Sequence, residues 1–242
     1  MVHEIQQLTD LLVEFSKKEE LKNQSKDFLS HLLTTRQICD LELLLNGGFS
    51  PLKGYLNKVN YESVLHTQRL ADGSLWPIPI TLDIPEVLAV QLKPGMSLSL
   101  RDREGVMLAV LDIEDIWLAE KEKEAELVYG TQDTKHWGVH YLLNDTEKWY
   151  VGGKIQGIQL PLHYDFKKFR HTPSELKNMF EQNGWDKVVA FQTRNPLLQD
   201  YRFAFSFLLL ALILVILIPL FLIKETYCRS MVELTILNRK SL

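Results

Sequence analysis

The sequence predicts an α+β protein: a β-rich region built as a small antiparallel sheet or barrel, the start of an α/β unit, and then a long apolar helix. Three observations carry this. Over 75–118, short apolar runs are punctuated by Pro77, Pro79, Pro85, Pro94 and Gly95, the spacing of short strands and tight turns. Thr172-Pro173-Ser174-Glu175 opens a helix, after which 187–191 has a continuous apolar centre suited to burial on both faces of a parallel sheet. Residues 203–223 carry no charge, and a run of that length spans a bilayer as a helix.

Composition alone hides this arrangement. The chain has 242 residues, 46% hydrophobic and 24% charged, which are ordinary values for a globular domain. They average a polar stretch of roughly 200 residues with one apolar run. Two cysteines exclude a disulfide framework and a cysteine-rich zinc site. A formal charge of -4 argues against a general nucleic-acid binder, which needs a basic surface.

Taken in order, residues 1–22 mix charges with Ile5, Leu8, Leu11, Leu12 and Phe15 at helical spacing, so an amphipathic, solvent-facing helix is expected. Membrane-surface binding is the less favoured alternative because a basic polar face is lacking. There is no uninterrupted apolar stretch of the kind an export signal needs, which implies a cytoplasmic start. Thr34 should cap a short helix that ends at Gly47-Gly48. Those glycines follow a helix instead of opening one, so a phosphate cradle is disfavoured. Cys39 reads as a small buried hydrophobe. Strands are expected at 78–82, 87–92, 97–100 and 106–113. The acid- and lysine-rich 114–126 should be a helix with a solvated, charge-alternating face. His136 and His140 are four apart, but Trp137-Gly138 weakens a helix there and no carboxylate completes a metal set, so both read as surface histidines. A strand pair follows at 149–153 and 155–160, and a helix from Pro173 that stops at Asn183-Gly184.

The strand at 187–191 runs into Gln192-Thr193-Arg194-Asn195-Pro196-Leu197. Ligands of open α/β sheets bind beyond strand C-termini, so this amide, hydroxyl, guanidinium and amide are placed for an anion. On residues alone, an ordinary polar loop closed by proline is the alternative reading.

Several segments in consistent order, RQICDLELLLNGGFSPL at 36–52, LADG at 70–73, IPITLD at 78–83, YVGG at 150–153 and FQTRNPL at 191–197, resemble ATP sulfurylase, also called sulfate adenylyltransferase. The resemblance implies a PUA-like β-barrel domain followed by the first strand of a truncated Rossmann-like nucleotidyltransferase domain. It implies sulfate and ATP as substrates, ATP as its Mg complex, with no prosthetic group, and pyrophosphate and adenosine 5′-phosphosulfate as products. Gln192 and Arg194 would hold sulfate; Gln192, Thr193, Arg194 and Asn195 would line ATP, with Thr193, Arg194 and Asn195 at the reacting phosphate. It further implies a cytoplasmic, homo-oligomeric protein. PUA-like domains elsewhere touch RNA, but the acidic balance argues against a nucleic-acid partner here.

The pattern then departs from the family. A His-x-x-His pair should follow QTRNPL directly, yet Leu198-Gln199-Asp200-Tyr201-Arg202 and the apolar run come next. Cys228-Arg229-Ser230-Met231-Val232-Glu233-Leu234-Thr235 matches the family's next stretch at Arg229, Glu233, Leu234 and Thr235, with Cys228 and Met231 in place of the histidines. The expected organisation is an N-terminal helix over 1–30, a β-rich domain over 31–170 and the start of the nucleotidyltransferase domain over 171–197. An apolar insertion over 198–227, with a membrane-helix-like run at 203–223, and a family-like remnant over 228–242 complete it. The insertion reads as translated non-coding sequence such as a retained intron, the rival being a membrane anchor. Lysines and arginines flank the run at Lys187, Arg194 and Arg202 before it and Lys224, Arg229, Arg239 and Lys240 after it, which sets no orientation. With the histidine pair and the rest of the catalytic domain missing, negligible adenylyltransferase activity is expected. The alternatives are a non-catalytic PUA-like assembly fragment or a tail-anchored membrane protein.

Overall fold

The computed structural model describes residues 8–185, 187–191 and 235–237. Chain contacts divide it into two units, 1–178 and 179–242.

The first unit is a mixed sheet wrapped by helices. In chain order it contains α1 (Phe15–Gln24), β1 (Leu29–Leu32), α2 (Thr35–Leu45), β2 (Gly54–Tyr55), α3 (Lys58–Thr67), β3 (Leu82–Ile84), α4 (Glu86–Ala89), β4 (Ser97–Arg101) and β5 (Met107–Leu118). Then come α5 (Lys121–Tyr129), α6 (Trp137–His140), a π-type turn at Tyr141–Asp145, and β6 (Trp149–Gly157). The sheet order is β1-β4-β5-β6-β2, with β3 also on β6. β1 and β4 are parallel and the other pairs antiparallel. The core is the inner face of this sheet against α2 and α3: Leu41, Leu44, Leu45, Leu82, Leu98, Leu100, Leu111 and Val151 are all at most 1% exposed. Tyr61, Trp117 and Tyr150 close one end as an edge-to-face and tilted aromatic trio with centroids 5.4–5.9 Å apart.

Several expected elements form as read. Thr34 caps α2, accepting from the Gln37 N–H, while the Gln37 side chain returns to the Thr34 N–H. Gly47 takes the positive φ that ends the turn after α2. Thr172 and Glu175 make the same reciprocal cap ahead of α7 (Pro173–Gln182), and Gly184 again has positive φ. β4 and β5 fall on their apolar runs.

Others differ, each for a physical reason. The N-terminal helix begins only at Phe15; Leu11 and Leu12 pack against the core, and Leu12 bridges to Gly157 in the manner of a parallel strand. The run at 87–92 is not a strand: Pro85 presets the backbone for a helical turn, and α4 leaves Val87 and Val90 outward. Of 78–82 only Leu82 enters a strand. The segment 114–126 is divided, β5 continuing to Leu118 and α5 starting at Lys121, whose side chain is buried together with Glu124. The expected strand pair at 149–160 is one strand. Gly152 and Gly153 make no turn; they let neighbouring chains approach, since a Cβ on Gly152 would collide with the Leu56 carbonyl and one on Gly153 with the Asp112 carbonyl. Cys39 is half-buried, and desolvation raises its thiol pKa.

In the second unit, β7 (Val189–Phe191) pairs antiparallel with β8 (Thr235–Leu237). Val189 is 51% exposed, so the parallel, doubly buried setting expected for this strand is not seen among the described residues. Among the described residues no helix is long and apolar enough to cross a membrane; the 203–223 run lies outside them, as does the 198–227 insertion.

Candidate functional site

The anion-binding reading places the site directly after β7. Gln192, Thr193, Arg194 and Asn195 lie outside the described residues, as do Cys228 and Met231, so the structure positions only the strand that leads into them. The charged groups it does bring together sit in the first unit, and three clusters account for most of the buried polarity there.

The RQICD segment at the start of α2 organises the largest. Gln37 is 1% exposed. Its Nε2 donates to the Asp83 carbonyl and to Asp83 Oδ1, both at 2.8 Å, and its Oε1 faces His31 Nε2 at 3.2 Å. The Tyr55 hydroxyl donates to the Gln37 carbonyl. One turn of α2 carries Arg36 and Asp40, paired at 3.4 Å, with Asp83 at 3.9 Å from the same guanidinium. The Arg36 guanidinium also lies 5.5 Å from the Tyr141 ring centre. Burial pushes the Asp40 carboxyl up to about 6, against the pull of Arg36. Burial likewise lowers the His31 pKa, although the Gln37 hydrogen bond opposes it.

Glu124 forms the second cluster. Its Oε2 accepts from the hydroxyls of Tyr61 at 2.8 Å and Tyr150 at 3.0 Å. Burial raises the carboxyl pKa despite these donors, and both phenols are raised, chiefly by burial. Lys121, one turn earlier, donates to the Thr146 carbonyl and hydroxyl. The third joins chain segments far apart in sequence: His163 Nε2 meets both oxygens of Glu42 at 2.8 and 2.9 Å.

These clusters tie elements of the first unit together, and no group of three metal-ligating side chains occurs among the described residues. His136 caps α6 by accepting from the Val139 N–H and His140 faces Asp145 at 3.6 Å. Sequence reasoning missed Gln37, Asp83 and Glu124. Gln37 alone gave a signal, as the glutamine three residues after the capping threonine.

The sheet, its flanking helices and the matching family model define the class: the chain belongs to the PUA-like domain family, whose model matches residues 2–160. A second model, ATP-sulfurylase, matches residues 167–209 and so covers the QTRNPL segment. The chain corresponds to the N-terminal portion of sulfate adenylyltransferases. It is 48% identical to the sulfate adenylyltransferase of Saccharomyces cerevisiae over 188 residues, 77% of this chain and 37% of that protein. It is 46% identical to that of Aspergillus fumigatus over 81% of this chain and 34% of the relative, and 47% identical to that of Kluyveromyces lactis over 81% and 39%. The chain therefore spans little more than a third of the length of the relatives it matches. A solved structure, the hexameric APS kinase from Thiobacillus denitrificans, superposes with a TM-score of 0.67 at 33% identity, over 84% of this chain and 36% of that one.

Proposed function

We propose that this chain carries a sulfate adenylyltransferase site interrupted after Leu197, and that it lacks turnover for that reason. The observation supporting this is the ATP-sulfurylase match across 167–209, which contains the whole QTRNPL segment, beside 46–48% identity to enzymes of that name. In the reaction, a sulfate oxygen attacks the α-phosphorus of Mg-ATP, forming an S–O–P bridge as the bond to pyrophosphate breaks. Sulfate has no proton to lose at neutral pH, so the work is to hold two anions together and stabilise charge on the α-phosphate. Arg194 supplies fixed forked donors to both anions; Gln192 adds a neutral donor to sulfate, and Thr193 and Asn195 donate to phosphate oxygens. The metal travels with the nucleotide as substrate and neutralises the departing pyrophosphate.

Two sequence features support inactivity. Residues 198–227 separate QTRNPL from the next family-like stretch, and Cys228 and Met231 occupy the places where histidines are expected on the phosphates. A thiol and a thioether cannot replace two imidazole donors. The test is sulfate-dependent pyrophosphate release by the full chain. We expect none above a no-enzyme blank; turnover approaching that of the yeast relative would refute the reading.

A second reading is a non-catalytic assembly module. Its support is the closed hydrophobic core of the first unit, together with the hexameric state in the name of the similar kinase structure. Light scattering of the full chain should then give a discrete homo-oligomer, and a strict monomer contradicts it. Were 203–223 a membrane anchor instead, the chain would resist carbonate extraction from membranes.

A further inference from the structure

The ionic cluster on α2 is charge-imbalanced and leads to the surface. The Arg36 guanidinium faces two carboxylates, Asp40 at 3.4 Å and Asp83 at 3.9 Å. Both contacts are longer than the ~2.7–2.9 Å of a tight charge-assisted bond, so neither carboxylate owns the cation. Asp83 is otherwise well provided for: Oδ1 accepts from Gln37 Nε2 at 2.8 Å and Oδ2 from the Glu147 N–H at 2.9 Å. Asp40 is not. It is 9% exposed, and its buried Oδ2 has the Arg36 guanidinium at 3.4 Å but accepts no hydrogen bond. A buried carboxylate oxygen held by one long ionic contact and no hydrogen bond favours the neutral acid, so Asp40 is where this cluster takes a proton.

Outward from Arg36 the contacts are aromatic. Its guanidinium carbon lies 5.5 Å from the Tyr141 ring centre. Tyr141 stacks on Trp137 with centroids 5.7 Å apart and planes inclined at 20°. Trp137 is 78% exposed. The half-exposed Arg36 thus links the buried carboxylates to two stacked surface rings.

We infer that Asp40 is a proton-binding site that operates the Arg36–Tyr141–Trp137 column. With Asp40 ionised, the guanidinium is shared between two carboxylates; a proton on Asp40 leaves it to Asp83 alone, and the rings stacked beyond it follow. The titratable groups around Asp40 are Arg36 and Cys39 on α2, Asp83 on β3, Tyr55 on β2 and Tyr141 on the π-type turn, with Glu42 and Arg170 acting on Cys39. His31 on β1 lies behind Gln37, while Glu147 and Lys121 act through Asp83. At the outer end stand His136, the cap of α6, and the His140–Asp145 pair. Burial dominates this balance and holds the Asp40 carboxyl near 6, inside the range in which a proton switch operates at physiological pH.

The experiment is an NMR titration of the full chain from about pH 4.5 to about pH 8, with ¹³C at the aspartate carboxyls and ¹⁵N at the indoles. We expect one aspartate carboxyl, assigned by its loss in Asp40→Asn, to titrate with a midpoint about two pH units above an ordinary aspartate. The Trp137 indole should move with that same midpoint. Its movement should vanish in Asp40→Asn and persist in His140→Gln. An Asp40 midpoint in the ordinary carboxylate range overturns the inference, as does a Trp137 signal that stays still while Asp40 titrates. So does a Trp137 shift that survives Asp40→Asn or disappears in His140→Gln. Should Asp40→Asn fail to fold, the comparison of the wild-type carboxyl and indole midpoints, with His140→Gln as control, decides alone.

Discussion

Replacing Gln37 by methionine isolates what one buried amide does for this fold. The two side chains have similar volume, so cavity formation is small; what changes is the pairing of polar groups. Four partners lose a hydrogen bond: the Asp83 carbonyl and Oδ1, each at 2.8 Å from Nε2, and the Thr34 N–H at 2.9 Å and the buried His31 Nε2 at 3.2 Å, both from Oε1. Thr34 is partly exposed and regains a water. The two Asp83 acceptors do not, because Asp83 is 6% exposed. Leaving a buried acceptor unsatisfied costs ~1–3 kcal/mol, more for a charged one; burying the thioether returns about 1 kcal/mol. The net loss should be about 2–4 kcal/mol. Urea unfolding of the full chain, followed by far-UV circular dichroism, should show a lower midpoint with unchanged slope. Gln37→Glu should be worse, since it sets a carboxylate against Asp83 Oδ1. A loss below ~1 kcal/mol for Gln37→Met would mean that the amide network is incidental.

Three further outcomes follow from the same geometry. The Asp40 carboxyl is raised from 3.8 to about 6, so the folded state binds its proton more tightly than the unfolded chain. Its contribution is present below about pH 4 and is lost as pH rises through 6, by up to ~3 kcal/mol. Asp40→Asn should therefore raise the melting temperature at pH 7.5 more than at about pH 4.5, and equal shifts at both would contradict the sign. Tyr150→Phe leaves Glu124 with Tyr61 as its remaining phenolic donor and should cost ~1–2 kcal/mol in urea unfolding; a neutral effect would show that Glu124 is satisfied elsewhere. Gly152→Ala should prevent soluble expression of the first unit or lower its melting temperature sharply, because the added Cβ meets the Leu56 backbone and not a yielding side chain; a variant that melts like the wild type would refute that close approach.

What the sequence disclosed was mainly local. Thr34 with Gln37, and Thr172 with Glu175, announce their helices because a capping box is closed within four residues. Gly47 and Gly184 mark helix ends for the same reason. Most of the misreadings were cases where a partner distant in sequence decides. Glu124 lies in a run of alternating charge that reads as a solvated face, yet its hydrogen-bond donors are Tyr61, 63 positions away, and Tyr150, 26 away. Residues 149–160 read as two strands broken after Gly153, whereas one strand runs through and Gly152 and Gly153 admit the backbones of Leu56 and Asp112. Val87 and Val90 have the β-branched character of a strand, but Pro85 and exposure favour a helical turn. For the candidate site, the strand at Val189–Phe191 was legible from its apolar run, but its burial on both faces was not borne out, since Val189 is 51% exposed, and Gln192, Thr193, Arg194 and Asn195 lie outside the described residues. The antiparallel partner of that strand, β8, was not legible, since it lies beyond the apolar run.

The central proposal is that 198–227, which follows Leu197, is a retained intron, and sequencing the mature transcript across codons 190 to 240 tests it most directly. A retained intron requires a second, shorter message in which the codon for Leu197 adjoins that for Cys228 or a near neighbour, restoring continuity between QTRNPL and the family-like stretch. A single continuous coding message, with 198–227 present in every transcript and no such splice junction, would contradict it and leave the apolar segment as a genuine part of the protein.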